Sequence, residues 1–116
     1  MDFVLVMVLL VPLVLGVLQV GLVLHVRNTL TSAASEGARV AGTYDRGPAD
    51  GAERTRELIT TGLSPDYAQN VMAAQTDVGG YPGVVVVVRA SVPALGLFGP
   101  TVDLEVSGHA VEETPP

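Results

Sequence analysis

The chain has 116 residues, a formal net charge of −6, and neither Cys nor Trp. Without Cys it can form no disulfide and no thiolate metal site. Its six cations are all Arg, scattered from Arg27 to Arg89, so the basic patch that nucleic-acid binding requires is absent. Mean hydropathy is +0.46, high for a soluble domain, which makes the location of the apolar residues the first question.

They are concentrated at the N-terminal end. The 22 residues from Phe3 to Leu24 carry no charged side chain, and 17 of them are Phe, Leu or Val. About 20 apolar residues suffice for one helix to cross the hydrocarbon core of a bilayer. Each Leu, Val or Phe contributes roughly −0.3 to −0.6 kcal/mol to insertion, a sum that Pro12, Gly16, Gln19 and Gly21 reduce without reversing. Residues 1–26 are therefore expected to form a transmembrane anchor, with the lipid bilayer as its first partner. Pro12 removes one backbone donor and should bend the helix, which a bilayer helix tolerates if the freed carbonyl finds a partner. His25, Arg27 and Asn28 follow directly and suit an interfacial flank.

No breaker ends the span. Leu30, Ala33, Ala34, Gly37, Ala38 and Ala41 recur at spacings of three and four, the stripe of an amphipathic helix, so one helix is expected from residue 2 to residue 41 with Gly42 as its cap. Residues 27–43 form its membrane-proximal part. Glu36 and Arg39 are three apart and can pair on one face. Gly37 in a helix interior costs about 1 kcal/mol relative to Ala, a cost that a close backbone contact would offset. Residues 45–48, Asp-Arg-Gly-Pro, are turn chemistry. Asp50 followed by Glu53 resembles a capping box and starts a second, short helix ending at Gly62, with Ala52, Leu58, Ile59 and Leu63 on its apolar face.

The remainder of the 44–111 domain is predicted to be β. Strands are expected over residues 71–78, 84–92 and 101–111, with a turn at 79–83 and an apolar loop at 93–100 whose Leu95, Leu97 and Phe98 close one end of the sheet. In the last strand Val102, Leu104, Val106, Gly108 and Ala110 alternate with Asp103, Glu105, Ser107 and His109, giving one buried and one wet face. Parity then fixes the antiparallel register. Residue numbers of partners in the second and third strands should sum to 194, which sets Arg89 opposite Glu105. The same reasoning gives the first hairpin a sum of 162, with Val78 opposite Val84 and Met72 opposite Ala90, and excludes odd sums. Residues 112–116 are a polar tail.

Convergent nucleophiles, bases or ligands are missing from the pattern. His25 and His109 are the only histidines, and no Gly-rich loop opens a helix. No catalytic residue, cofactor, metal or small-molecule substrate is expected, and the chain reads as a non-enzyme.

The succession Asp2-Phe3, a Leu/Val span holding Pro12 and Gly16, then His-Val-Arg-Asn-Thr-Leu and Ala-Ala-Ser-Glu-Gly-Ala-Arg resembles the TadE-like family, the pseudopilins of tight-adherence (Flp-type) pili. The resemblance is specific over residues 2–41 and looser beyond. It implies a minor pseudopilin of a pilus or related secretion apparatus, whose partners are other pilin-like subunits and an assembly platform. It also implies that Asp2, near the start of the helix, aids subunit assembly, and that the domain lies outside the cytoplasm. Arg27 and Arg39 follow the span, and by the positive-inside rule alone they would hold the domain in the cytoplasm; a basic leader upstream of the given start would reconcile the two. The residues expected to serve subunit or helix packing are Asp2, Pro12, Gly16, Arg27, Asn28, Glu36, Gly37 and Arg39. The expected fold is α+β: a long N-terminal transmembrane helix continuing into an amphipathic helix, a second short helix, and a three-stranded antiparallel β-meander. The alternative is a membrane-anchored adaptor or ligand-binding domain unrelated to pili.

Overall fold

The computed structural model describes residues 2–43, 45–92 and 102–112. One uninterrupted helix, α1 (Asp2–Ala41), is followed by α2 (Pro48–Gly62), a single 3-10 turn (Pro65–Ala68), and strands β1 (Asn70–Val78), β2 (Tyr81–Val92) and β3 (Val102–Val111). The strands form one antiparallel sheet in the order β1-β2-β3. The α+β architecture is the one the hydrophobic pattern calls for.

The core lies between the sheet and the C-terminal half of α1. Val26, Leu30, Ala33, Ala34, Ala38 and Ala41 of α1 are buried against Val84, Val86, Val88 and Val92 of β2, Leu104 and Val106 of β3, and Ile59 of α2. Helix α1 covers β2 and β3, and α2 covers β1. Arg56 of α2 donates from Nη2 to the carbonyl of Val71 at 3.3 Å, tying α2 to the edge strand.

Helix α2 begins earlier than the Asp50–Glu53 pattern indicates. Gly47 is its N-cap and Pro48 its first residue, a position where the missing Pro N–H costs nothing. Asp50 is therefore the third helical residue, and its carboxylate accepts from the Gly47 N–H at 3.0 Å. The end of α1 falls where expected, with Gly42 directly after Ala41. Gly42 is not in the left-handed conformation; it donates to the Ala38 carbonyl at 2.9 Å, and the chain turns at Asp45, which has φ 71°. What Gly42 supplies is room, since a Cβ there would lie 2.9 Å from the carbonyl oxygen of Val111.

The register of β2 and β3 is the expected one. Arg89 faces Glu105, Ala90 faces Leu104 and Val88 faces Val106. The first hairpin is a correction. Val78 pairs with Tyr81 and Val71 with Val88, so the partners sum to the odd value 159, not 162. The reason is the turn. Gly79 and Gly80 have φ of 58° and 87°, the pattern of a two-residue primed hairpin turn whose twist matches the flanking strands. Tyr81, Pro82 and Gly83 belong to β2 instead of the loop. The odd sum exchanges the faces of β1: Val71, 5% exposed, points to the core, and Met72, 68% exposed, points out. Val71 is buried and Ala73 partly buried, paired with the buried Val88 and Val86. The fold therefore survives the shift.

Leu95, Leu97 and Phe98 fall outside the described residues, as do Tyr44, Thr101 and residues 113–116.

Candidate anchoring and helix-packing site

Helix α1 presents two different surfaces. From Phe3 to Leu24 almost every large apolar side chain is exposed: Phe3 is 72% exposed and Leu10 41%. No residue in the most apolar part of the helix is fully buried by the described protein. In water a run of this kind would leave far more than the few hundred Å² of contiguous apolar surface usual for a soluble monomer. The helix is long and apolar enough to cross a membrane. Asp2 lies in its first turn, where a carboxylate complements the partial positive charge of the helix N-terminus. Pro12 lies inside the helix without interrupting it. A Cβ placed on Gly16 would meet nothing within 4 Å among the described residues, and Asp2, Pro12 and Gly16 are all exposed.

At the end of the span, Thr29 and Thr31 return their hydroxyls to the carbonyls of His25 and Arg27, at 3.0 and 2.8 Å. Both are i−4 backbone bonds of the kind that keeps a Thr inside a helix without an unmet donor. Arg27 and Asn28 are exposed beside the buried Val26 and Leu30. They stand on the outer face, with the domain behind them.

Above this point the helix surface changes to small side chains. Among the described glycines, Gly37 leaves the least room for a side chain. A Cβ there would overlap the hydroxyl of Thr55 and come within 2.6 Å of the carbonyl oxygen of Gly51, both on α2. The approach is reciprocal, because a Cβ on Gly51 would lie 2.5 Å from the Ala41 Cβ and 2.6 Å from the Gly37 carbonyl oxygen. Thr55 is fully buried. Its hydroxyl donates to the Gly51 carbonyl at 2.8 Å, and the Ala33 carbonyl of α1 lies 3.3 Å away. On the other side of α1, Gly108 of β3 lies flat on the helix backbone, with its virtual Cβ 2.5 Å from both the Ala34 carbonyl carbon and the Ser35 nitrogen. Gly37 and Gly108 thus let α1 sit between α2 and the sheet with backbone nearly touching backbone on both sides. Glu36 and Arg39 flank Gly37 with their side-chain charges 3.7 Å apart and largely exposed. A pair so exposed contributes at most a few tenths of a kcal/mol.

The expected site residues therefore separate. Glu36, Gly37 and Arg39 gather at the α1–α2 crossing, Arg27 and Asn28 stand just beyond the apolar run, and Asp2, Pro12 and Gly16 lie within or before it on the exposed part of the helix. Asp2 is about 50 Å from Gly37 at 1.5 Å per residue. Gly51, Thr55 and Gly108 complete the packing, and none was singled out beforehand. Gly51 carried a signal, since a Gly inside the Pro48–Gly62 helix bears the same propensity cost as Gly37. Gly108 differed from its inward-facing neighbours only in lacking a side chain.

The stretch of α1 just described is also the stretch that is related to known proteins. Residues 1–39 match the family model described as TadE-like protein. The match ends near the α1–α2 crossing and covers the apolar span, the His25–Asn28 flank and Gly37. No curated protein and no solved structure matches the chain. The matching segment holds the one helix among the described residues that is long and apolar enough to cross a membrane.

Proposed function

We propose that this protein is a non-enzymatic minor pseudopilin of a tight-adherence-type pilus or a related secretion apparatus, with its α+β domain outside the cytoplasm. The observation that carries the reading is the coincidence of two boundaries on α1. The TadE-like segment contains both a largely exposed apolar run and most of the small-residue stripe on which the domain is built. A subunit of this form is held in the bilayer by one half of its helix while the other half presents a folded head. Other pilin-like subunits and a membrane assembly platform are its proposed partners, reached through the bare half of α1 where Asp2, Pro12 and Gly16 lie.

The direct test is genetic. Deleting the gene should reduce or abolish a pilus-dependent trait and leave metabolic activities unchanged; intact pili and normal secretion in the deletion strain would refute the pseudopilin role. Topology is tested separately. The chain has no Cys, so an Asp77→Cys variant can be labelled in cells with a permeabilised outer layer by a thiol reagent that does not cross the inner membrane. Labelling is expected. Protection until the inner membrane is lysed would place the domain in the cytoplasm.

A further inference from the structure

The sheet has a second face, turned away from both helices. Met72 and Ala74 of β1, Val85 and Val87 of β2, and Ser107 and His109 of β3 point to it, because successive strand residues alternate between faces and their neighbours are the buried ones. The register sets these six in two rows, Met72–Val87–Ser107 and Ala74–Val85–His109. Met72 is 68% exposed, Ala74, Ser107 and His109 are exposed, and Val85 and Val87 are half-buried. A third row, Asn70–Arg89–Glu105, closes one end of this patch, with Arg89 Nε 3.6 Å from the Glu105 carboxylate. The apolar members and this ion pair line one shallow cleft.

Anchorage limits how a second copy can meet this face. Gly42 meets Val111 and Ala34 meets Gly108, so β3 runs beside α1 in the same direction. Two copies anchored in one bilayer from the same side therefore hold their strands in the same direction. Antiparallel pairing of two β3 edges would turn one span upside down. A two-fold axis along the strands, between two such faces, keeps both spans in the bilayer. Aligned sheets pack about 10 Å apart and about 30° askew. Each span then tilts by about 15°, inside the usual range for transmembrane helices.

We propose that this face docks against the same face of a second copy of the chain in the same membrane. The rotation lays β1 of each copy over β3 of the other, and β2 over β2. Met72 then stands over the second copy's Ser107, and His109 over its Ala74, large on small in both rows. Val85 and Val87 meet their own counterparts in the centre. Each Arg89 has its own Glu105 on one side and the second copy's Glu105 on the other, so two guanidinium groups and two carboxylates alternate at the rim. Strand spacing and rise give the face about 14 by 30 Å, roughly 420 Å² per copy, where stable soluble complexes bury about 800 Å². Confinement in one membrane raises the effective concentration and makes so small a contact sufficient. The inference rests on the membrane-anchor part of the proposed function.

The test uses the full chain, which has no Cys, reconstituted in phosphatidylcholine vesicles. Val87→Cys places one thiol at the centre of the face, and Glu53→Cys places one at an exposed position of α2, on the helix side of the sheet. A short bismaleimide is expected to join Val87→Cys chains into a species of twice 12.0 kDa. The yield should be several-fold above that of Glu53→Cys chains at the same protein-to-lipid ratio. In the Val87→Cys background, Met72→Glu should lower the yield several-fold. Arg89→Glu should lower it too, and adding Glu105→Arg should restore it, since the exchanged pair alternates in the same way. Equal yields at positions 87 and 53 would overturn the dimer, as would an Arg89→Glu loss that Glu105→Arg does not restore. In cells producing Val87→Cys, an adduct with a different protein in place of the doubled chain would overturn the second copy as occupant. Protein that fails to float with the vesicles would instead overturn the anchor itself, and the dimer with it.

Discussion

The two halves of α1 are continuous in backbone and opposite in side chain. Residues 3–24 are built from Leu and Val, residues 30–41 from Ala, Gly and a few polar groups, and the helix runs through both without a break. Bulky side chains hold a neighbouring backbone at the usual 8–10 Å between helix axes, whereas Gly37 lets α2 approach until its carbonyl nearly touches the helix. The difference teaches that apolar character alone does not say whether a helix is buried in protein or in lipid. Side-chain size does, because a helix without a protein neighbour has no use for small residues, and one clasped on two sides has no room for large ones.

The largest way to break this comparison is to make the second half resemble the first. Gly37→Leu places a branched side chain on Thr55 and the Gly51 carbonyl, where backbone must move, and should cost more than about 3 kcal/mol, above the usual range for an overpacked core. Ser35→Ala, on the exposed face two residues away, should change stability by less than about 0.5 kcal/mol. Denaturant unfolding of the detergent-solubilised protein, followed by circular dichroism, measures both. Equal, mild effects would show that the close crossing does not hold the domain.

The reverse change acts on the first half. Leu10→Arg puts a charge near the centre of the span and should cost about 3 kcal/mol of insertion, measured as the inserted fraction in a translocation assay. The folded head should be unaffected, since Leu10 touches none of it. A head destabilised by Leu10→Arg would mean that the two halves are not independent.

Much of this was legible in the sequence, for specific reasons. The span is long and uncharged, and the stripe from Leu30 to Ala41 keeps a helical period, so α1 could be drawn nearly to the residue. The register of β2 and β3 followed from Asp103 and Glu105, charges that leave one face only. The first hairpin lacked that constraint. In β1, Val71 and Met72 are both apolar neighbours of opposite parity, and no charge decides between them until Asp77. The Gly79-Gly80 turn decides instead, and the Tyr-Pro-Gly that follows disguised it as a longer loop. At the packing site Gly37 was visible as an unfavourable residue in a helix, but its partners Gly51, Thr55 and Gly108 come from separate elements, and only the tertiary fold brings them to α1.

Smaller changes sharpen the picture of the second half. Thr55→Val keeps the shape and removes the hydroxyl that reaches the Gly51 and Ala33 carbonyls, a loss of about 1 kcal/mol measurable by the same unfolding assay. A gain in stability would show that the buried hydroxyl is a burden on the crossing. The Arg89–Glu105 pair on the outer face of the sheet is exposed on both sides. A double-mutant cycle with Arg89→Ala and Glu105→Ala should give a coupling of only a few tenths of a kcal/mol. A coupling above about 1 kcal/mol would mean that this face is covered by something in the functional state.

The central claim is that α1 belongs to the bilayer over one half and to the domain over the other. The most direct test is membrane fractionation of cells producing the full chain, with an alkaline carbonate wash that strips peripheral proteins. The account predicts that the protein stays in the membrane pellet after the wash and leaves it only with detergent. Quantitative recovery of folded protein in the soluble fraction would contradict it.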